Sequence, residues 1–441
     1  MDHYIKEAVE RLRDQSERYR RAERYYEGRQ DLAFATEKFR STFGTLFREF
    51  ALNLCPAICD TVRDKLRVTG FSLDVADAKD NGTARDTRRI WADNRMRRRS
   101  GEVHKESLKC GDAYAIVWPD ETGKAAIYPN RALGCTVFYD DERPGEIIRA
   151  AKYWQRADKR IRLNLFFPDR IEKFVSADES EQGVPEAGRF VSFVSGGRQA
   201  AAFDTGTVPN PFGRMPVFHF ANNADLGMPG RSELEPAMPI QDGLNKSVLD
   251  MLVAMEYAAF RQRWAAGIEV EYDENGEAVA PFRAGVERIW MSQNSDTRFG
   301  DFDTADLQQF LAVKDSFRTD MALVTGTPLH YFTPILQGFR SGENLKRSES
   351  RFLSKVRDRQ AAFGQTWAEV MQFALRIEGR GHGERLLTEW EDPAPLSERE
   401  LLENILLKKR IGLDSEQALI EAGYGQLDSK RMTTPDIDRR H

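Results

Sequence analysis

Cysteine is scarce: four residues (Cys55, Cys59, Cys110 and Cys135) in a chain of 441, none in a CxxC pair. Cys55 and Cys59 are four apart with Pro56 between them, and no His or Cys pair follows at zinc-ligand spacing. That argues for reduced thiols in a core rather than a zinc site or a disulfide framework. Long apolar runs are missing too. Nothing approaches the roughly 18 consecutive apolar residues of a membrane helix. The N-terminus, MDHYIKEAVERLRDQSERYR, is too charged for a signal peptide. Synthesis in the cytoplasm and no membrane partner are therefore expected. Excess charge is also absent: 65 basic residues face 70 acidic ones, a formal net charge of -5. This excludes a protein that coats DNA by bulk positive charge, but not one that encloses it.

Catalytic motifs are missing as well. The chain has no GxxxxGK[ST] phosphate loop, no HExxH, no GxSxG elbow and no Rossmann glycine pattern. Its histidines, His3, His104, His219, His330, His382 and His441, form no ligand-spaced pair. Asp301, Asp303 and Asp306 are the best local carboxylate cluster. Asp303 is more simply a helix N-cap, however, and Asp306 a first-turn charge that suits the helix dipole. No catalytic residue, metal or cofactor is expected, and the sequence points away from an enzyme.

What is present is an α+β chain, mainly helical, with 41% apolar and 31% charged residues. Residues 1–30 form an amphipathic stripe (Ile5, Val9, Leu12, Tyr19, Tyr25, Tyr26), and 43–68 another, in which Pro56 must start or kink a helix. Asp80 to Lys109 looks like one basic helix carrying Arg85, Arg88, Arg89, Arg95, Arg97, Arg98 and Arg99. That cluster suits a solvated or inter-subunit face better than DNA contact. At Gly111 the period changes from 3.6 to 2, and strands recur to about 221, beginning with a hairpin across Asp120–Gly123. The polar piece 176–189 suits a mobile loop. Helices resume at about Pro239–Arg263, where the Met251/Met255 stripe suits helix packing. A compact piece follows, with strands at Gly267–Tyr272 and Val286–Met291, then helices over Thr304–Thr325 and Gly342–Ile377. A short strand at Arg385–Trp390 precedes two terminal helices.

The oddest stretch is Gly326–Ser341. Pro328 and Pro334 forbid a helix, yet Leu329, Tyr331, Phe332, Ile335, Leu336 and Phe339 are too apolar for a solvated turn. The loop must pack on something, or project to where another subunit or a large ligand meets it.

Seven short stretches carry a family resemblance. Tyr25-Tyr-Glu-Gly-Arg29, Asn53-Leu-Cys-Pro-Ala-Ile-Cys-Asp-Thr-Val-Arg63 and Val68-Thr-Gly-Phe71 resemble the opening of tailed-bacteriophage portal proteins (head-to-tail connectors), in the subgroup common in phages of Gram-positive hosts. Gly230-Arg-Ser-Glu-Leu234 and Gln241-Asp-Gly-Leu-Asn-Lys246 resemble the start of the family's stem helix. Gly326-Thr-Pro and Ser341-Gly-Glu-Asn-Leu-Lys346 resemble the borders of its tunnel loop.

The resemblance implies a wing (1–235, with a β-rich subdomain at about 111–221), stem helices (236–263 and 304–325), a clip (264–303), a tunnel loop (326–341), a long wing helix (342–380) and a short crown (381–441). It implies a homo-oligomeric ring, usually a dodecamer, at one capsid vertex. Double-stranded DNA would pass through it during packaging and ejection. Its partners would be the major capsid protein and scaffold, the large terminase and a head-to-tail adaptor. It would sit in the virion, and in host cytoplasm during assembly. The tunnel-loop residues facing DNA would be Leu329, His330, Tyr331, Phe332, Ile335, Leu336, Gln337, Phe339 and Arg340, followed by Lys346 and Arg347. In the stem, Lys246, Arg261, Arg263, Lys314 and Arg318 are channel candidates, with inter-subunit salt bridges as the competing role. A metal-dependent phage DNA-processing enzyme and a non-DNA structural adaptor are the alternatives.

Overall fold

Apolar residues every three or four positions dictate the first helix, α1 (Asp2–Glu27), which buries Ile5, Ala8, Val9, Leu12, Tyr19, Ala22 and Tyr25 along one stripe. The fold is given by a computed structural model. It describes residues 2–31, 33, 34, 37, 41, 52–74, 82–180, 186–194, 206–225, 228–259, 263–267, 296–301, 308–333, 342–380, 385–394 and 398–421. Pro56 lies in the first turn of α2 (Cys55–Asp64) and so begins a helix. Asn53 Oδ1 accepts the exposed first amide, from Cys55 N at 3.1 Å.

After β1 (Val68–Leu73), the expected single helix over 80–109 divides into α3 (Thr83–Asp93) and α4 (Met96–Cys110). The break has a tertiary cause. Asn94 donates from Nδ2 to Ile90 O and Ala125 O, while its Oδ1 accepts from Ile127 N at 2.7 Å. Arg95 then takes a left-handed φ of 54°. A strand edge captures the side chain, and the helix yields.

The β-rich region holds two sheets. One is three-stranded, β10-β2-β3, made of β2 (Asp112–Pro119), β3 (Ala125–Arg131) and the distant β10 (Val217–Ala221). The other runs β4 (Cys135–Tyr139), β5 (Ile147–Gln155), β6 (Arg160–Phe166), β7 (Arg170–Glu179), β8 (Phe190–Ser192), with β9 (Thr207–Pro209) also on β7. All pairings are antiparallel. The first part of the expected loop 176–189 is thus strand, because β7 continues to Glu179; residues 181–185 lie outside the described residues. Phe138, Ala151, Leu163, Leu165 and Phe174 of the larger sheet pack under the first half of α1. Val137, Ala150, Phe166 and Ile171 pack on Tyr114, Ile116 and Val217 of the smaller one.

Helix α5 (Met238–Ala259) is followed by a two-stranded pair, β11 (Arg263–Ala266) and β12 (Arg298–Asp301), and by α6 (Gln308–Thr325). The strands expected at 267–272 and 286–291 fall almost wholly outside the described residues. Helix α7 (Gly342–Ile377) is the spine of the main core: Phe352, Val356, Phe363, Trp367, Val370 and Ala374 are all fully buried. Strand β13 (Leu386–Trp390) returns to pair with β1. A separate unit begins at Glu391. It contains α8 (Glu398–Arg410) and α9 (Ser415–Glu421), with Ile405 and Ala418 buried.

Inside the main core, His104 of α4 is fully buried. Its Nε2 accepts from Trp367 Nε1 at 2.8 Å, its Nδ1 donates to Leu66 O at 3.1 Å, and its ring stacks on Phe363. Burial lowers its pKa to about 3, so the imidazole is neutral. The unfolded chain takes up a proton near pH 6.5 and the folded chain does not. Stability is therefore complete above about pH 6.5 and falls as pH drops toward 3, by at most about 1.4 kcal/mol per pH unit from this group. Thermal melts of wild type and His104→Gln across that window should show a steeper acid loss in wild type. Equal slopes would mean that His104 protonates in place.

Candidate functional site

The β-rich region and the segment leading into α5 meet where two backbones cross. Gly111, at the corner between α4 and β2, has a φ of 97°. Gly230 lies against it: a Cβ on Gly230 would be 1.9 Å from Gly111 O, and one on Gly111 would be 2.5 Å from Gly230 O. No residue with a side chain fits either position. Around the crossing, Asn222 N donates to Gly111 O, Arg231 N to Asn222 O, Glu233 N to Leu108 O, and Ser232 Oγ to Lys109 O. The Gly230-Arg-Ser-Glu-Leu234 motif is this strap, and Leu234 ends it in the core.

Buried carboxylates pin the crossing from both sides. Asp112 receives Gly230 N at 2.8 Å, His219 Nε2 at 2.8 Å, Tyr19 OH at 2.7 Å and Arg18 Nη2 at 2.6 Å. Burial alone would push its carboxyl up, but the His219 and Tyr19 hydrogen bonds and the Arg18 charge hold it below the usual range. Tyr139 OH donates to His219 Nδ1 at 2.6 Å. The Tyr–His–Asp row is enclosed and has no nucleophile, so its chemistry is that of a lock.

Glu233 is the second pin. Lys355 Nζ approaches it at 2.5 Å and Arg359 Nη2 at 2.9 Å, both from α7. Burial again opposes ionisation, and the two cations overcome it. Lys355 also donates to Thr325 O at 2.9 Å, the carbonyl that ends α6. One ammonium thus ties together the start of α5, the end of α6 and the middle of α7. A cleft of about 410 Å³ opens beside them, lined by Arg231, Glu233, Glu235, Val324, Lys355 and Arg359 among others.

The other motifs knot onto the same joint. Gln241 accepts Leu54 N and donates to Leu52 O. Asp242 receives Tyr25 OH at 2.7 Å, and Tyr26 OH donates to Asp60. Asn53 Nδ2 donates to the carbonyls of Tyr25 and Tyr26. Residues far apart in sequence are therefore the mutual hydrogen-bond partners of a single junction.

The described half of the apolar loop packs back on α7. Gly326 turns at a φ of 67°, and Leu329–Tyr331 make a short 3-10 turn. Phe332 is 5% exposed and belongs to the main core, so its expected DNA-facing role is corrected: burial against the core holds it inward. Tyr331 is half-buried against Phe352, and His330 pairs with Glu349 at 3.3 Å. Only Leu329 of this group is exposed, at 40%. Ile335, Leu336, Gln337, Phe339 and Arg340 lie outside the described residues, as do Arg261 and the side chains of Arg263, Lys346 and Arg347. In the stem-like helices, Lys246 pairs with Asp250 and Arg318 with Asp315. Lys314 is half-buried and has no carboxylate partner among the described residues.

Glu23, Glu106 and Cys110 form a group with metal-like spacing. Lys109 and Arg131 each pair with both carboxylates, so the charge an ion would supply is already present. In the basic stretch 85–99, Arg85, Arg88, Arg95 and Arg97 are exposed, as expected of a solvated face, and three other arginines find partners in the chain. Arg89 pairs with Glu378, Arg98 with Glu102, and Arg99 donates to Ile127 O. Glu233 lies within the Gly230–Leu234 motif, whereas the hub at Asp112 carries no local motif and its sequence signal is the glycine at 111. Replacing Glu233 with Ala should leave the buried Lys355 without a carboxylate and Arg359 with only the exposed Asp358, and cost about 3–5 kcal/mol in chemical denaturation. A loss below about 1 kcal/mol would show that the pin is not what holds the joint.

The sequence matches the profile of the family described as phage portal protein, SPP1 Gp6-like, over residues 5–422. The portal proteins of Mycobacterium phages D29 and L5 are each 28% identical to it, over 196 and 197 residues. Those matches cover 42% of this chain and 40% of each relative's length. Among solved structures, the neck of an empty GTA particle is 13% identical, with 90% of this chain and 96% of that chain covered and a TM-score of 0.47. The virion of a native gene transfer agent particle gives 13%, the same coverages and 0.46. With residues 5–422 of its 441 matched by the family profile, the chain belongs to the SPP1 Gp6-like phage portal proteins.

Proposed function

We propose that this protein is the structural portal of a tailed phage: a ring, of twelve copies as the family resemblance implies, at one capsid vertex. Double-stranded DNA enters through it during packaging and leaves through it during ejection. The large terminase docks on it first and a head-to-tail adaptor later, while the major capsid protein and scaffold surround it. It acts in the virion, after assembly in the host cytoplasm, and its work is structural rather than catalytic.

The observation that carries this reading is the unmatched surface of α5 and α6. Met255, Leu311, Val313, Leu323 and Val324 are 42–66% exposed on a single chain. So many large apolar side chains on one helix pair mark a surface built to be covered. Neighbouring copies in a ring would cover it. The Met251/Met255 stripe fits the same account: Leu244 and Val248 are buried within the chain, whereas Met255 is 47% exposed and free to pack on another copy. A near-neutral protein with paired cations also suits a channel that must let DNA slide, because each extra phosphate contact steepens binding. Lys314, Arg340, Lys346 and Arg347 remain the candidates for the few contacts that do form.

Negative-stain images or native mass measurement should show a ring with a central hole. Leu311→Asp combined with Leu323→Asp should keep the helical circular dichroism and give monomers. Rings that form as well as wild type would sink the assignment of this face. Deleting residues 334–338, beyond the buried Phe332, should leave rings intact and reduce the DNA retained by particles. Full retention would remove the loop from any contact with DNA.

A further inference from the structure

The outer half of the larger sheet carries cations that the fold supports but does not neutralise. On the face that meets the smaller sheet, Ala150, Phe166 and Ile171 are covered. Farther along the same face the cross-strand rows read Trp154–Arg162–Val175–Val191 and Lys152–Asn164–Lys173. Phe193, whose N donates to Lys173 O, completes the second row. Arg162 is 9% exposed. Its guanidinium lies 3.3 Å from the Phe193 ring centroid and 5.3 Å from that of Trp154. Lys152 Nζ is 5.2 Å from the Trp154 ring, and Arg156 is 5.7 Å from Phe193.

Arg162 spends only Nε among the described residues, on Phe174 O at 3.2 Å. Among the described residues neither it nor Lys152 has a carboxylate partner. Arg156 has one, Asp158 at 3.5 Å across the β5–β6 turn. Burial depresses the Lys152 pKa, and burial with the neighbouring Arg156 charge depresses that of Arg162. Holding two desolvated cations without a counter-charge is costly. Elsewhere in this chain such cations are given acids, as Lys355 and Arg359 are given Glu233.

We infer that this sheet face binds the phosphate backbone of nucleic acid, with Arg162 as a fork held open by Phe193 and Trp154 and with Lys152 and Arg156 beside it. A guanidinium with free Nη groups matches two phosphate oxygens. Trp154 and Phe193 are half-buried beneath the cations, so they serve as supports and not as the protruding anchors of a protein–protein hot spot. The site lies in the β-rich region, apart from the loop and stem residues considered for the channel. It therefore adds a second place where DNA is held, on the body of the protein.

The test uses the full-length protein and a short fluorescein-labelled DNA duplex, titrated by anisotropy at several salt concentrations. Lys152→Gln with Arg156→Gln removes two charges and leaves the Arg162–Phe174 contact in place. The slope of log K against log salt should become shallower by about 0.9 per lost contact, about 2 in all. Arg162→Lys keeps the charge and removes the fork; it should weaken binding several-fold with little change in slope. An unchanged slope in the double variant, or wild-type affinity in Arg162→Lys, would overturn the inference. A poly-glutamate peptide supplies the other outcome. If the double variant loses peptide binding and keeps DNA binding, the face belongs to an acidic protein segment and the nucleic-acid assignment fails.

Discussion

Two backbones pass between Gly111 and Gly230 at a separation that no Cβ permits, and the rest of the main body is arranged around that passage. The corner at Gly111 ends a helix and starts the central strand of a sheet. The strap at Gly230 ends the β-rich region and leads into α5. Asp112 and Glu233 lie within three residues of the crossing and gather donors from α1, β10 and α7. Each is a charge removed from water, which is affordable only because every approach to it brings a donor or a cation. The crossing works as a rivet: it ties the β-rich region to the strap that leads into α5 through direct backbone contact.

Local pattern revealed the elements and concealed the joints. The 3.6-residue stripes of α1 and α7 were legible because one face of each is buried along most of its length. The hairpin at Asp120–Gly123 was legible because turn chemistry is local. The break at Asn94–Arg95 was not, since its cause is a hydrogen bond to Ile127, on a strand some thirty residues away. The division of 111–221 into two sheets was hidden for a like reason: β10 joins β2 across a hundred residues of intervening chain. Phe332 looked available to a ligand because a broken apolar loop does not say which of its side chains turns inward.

Charge shows the same separation of local and tertiary information. A total of -5 conceals a chain in which the buried cations at the crossing are matched with carboxylates in place. The arginines of 85–99 looked like a basic face, yet Arg89 reaches Glu378 in another part of the fold. Against this background, Lys152 and Arg162 stand apart as cations whose pKa is lowered by burial, with no carboxylate partner among the described residues. Sequence cannot flag such residues, because being unpaired is a property of the neighbourhood and not of the residue.

The four thiols carry a practical consequence. Cys55, Cys59, Cys110 and Cys135 are all free and fully buried. Burial pushes Cys55 and Cys135 up to about 12, and raises Cys59 and Cys110 as well. The reactive species is the thiolate, so at neutral pH the natural chain offers almost none. A cysteine introduced on the open face of α6 would thus be the single site that a maleimide dye or a cross-linker attacks. The distance between neighbouring copies could then be measured without first stripping the protein of its own sulfur.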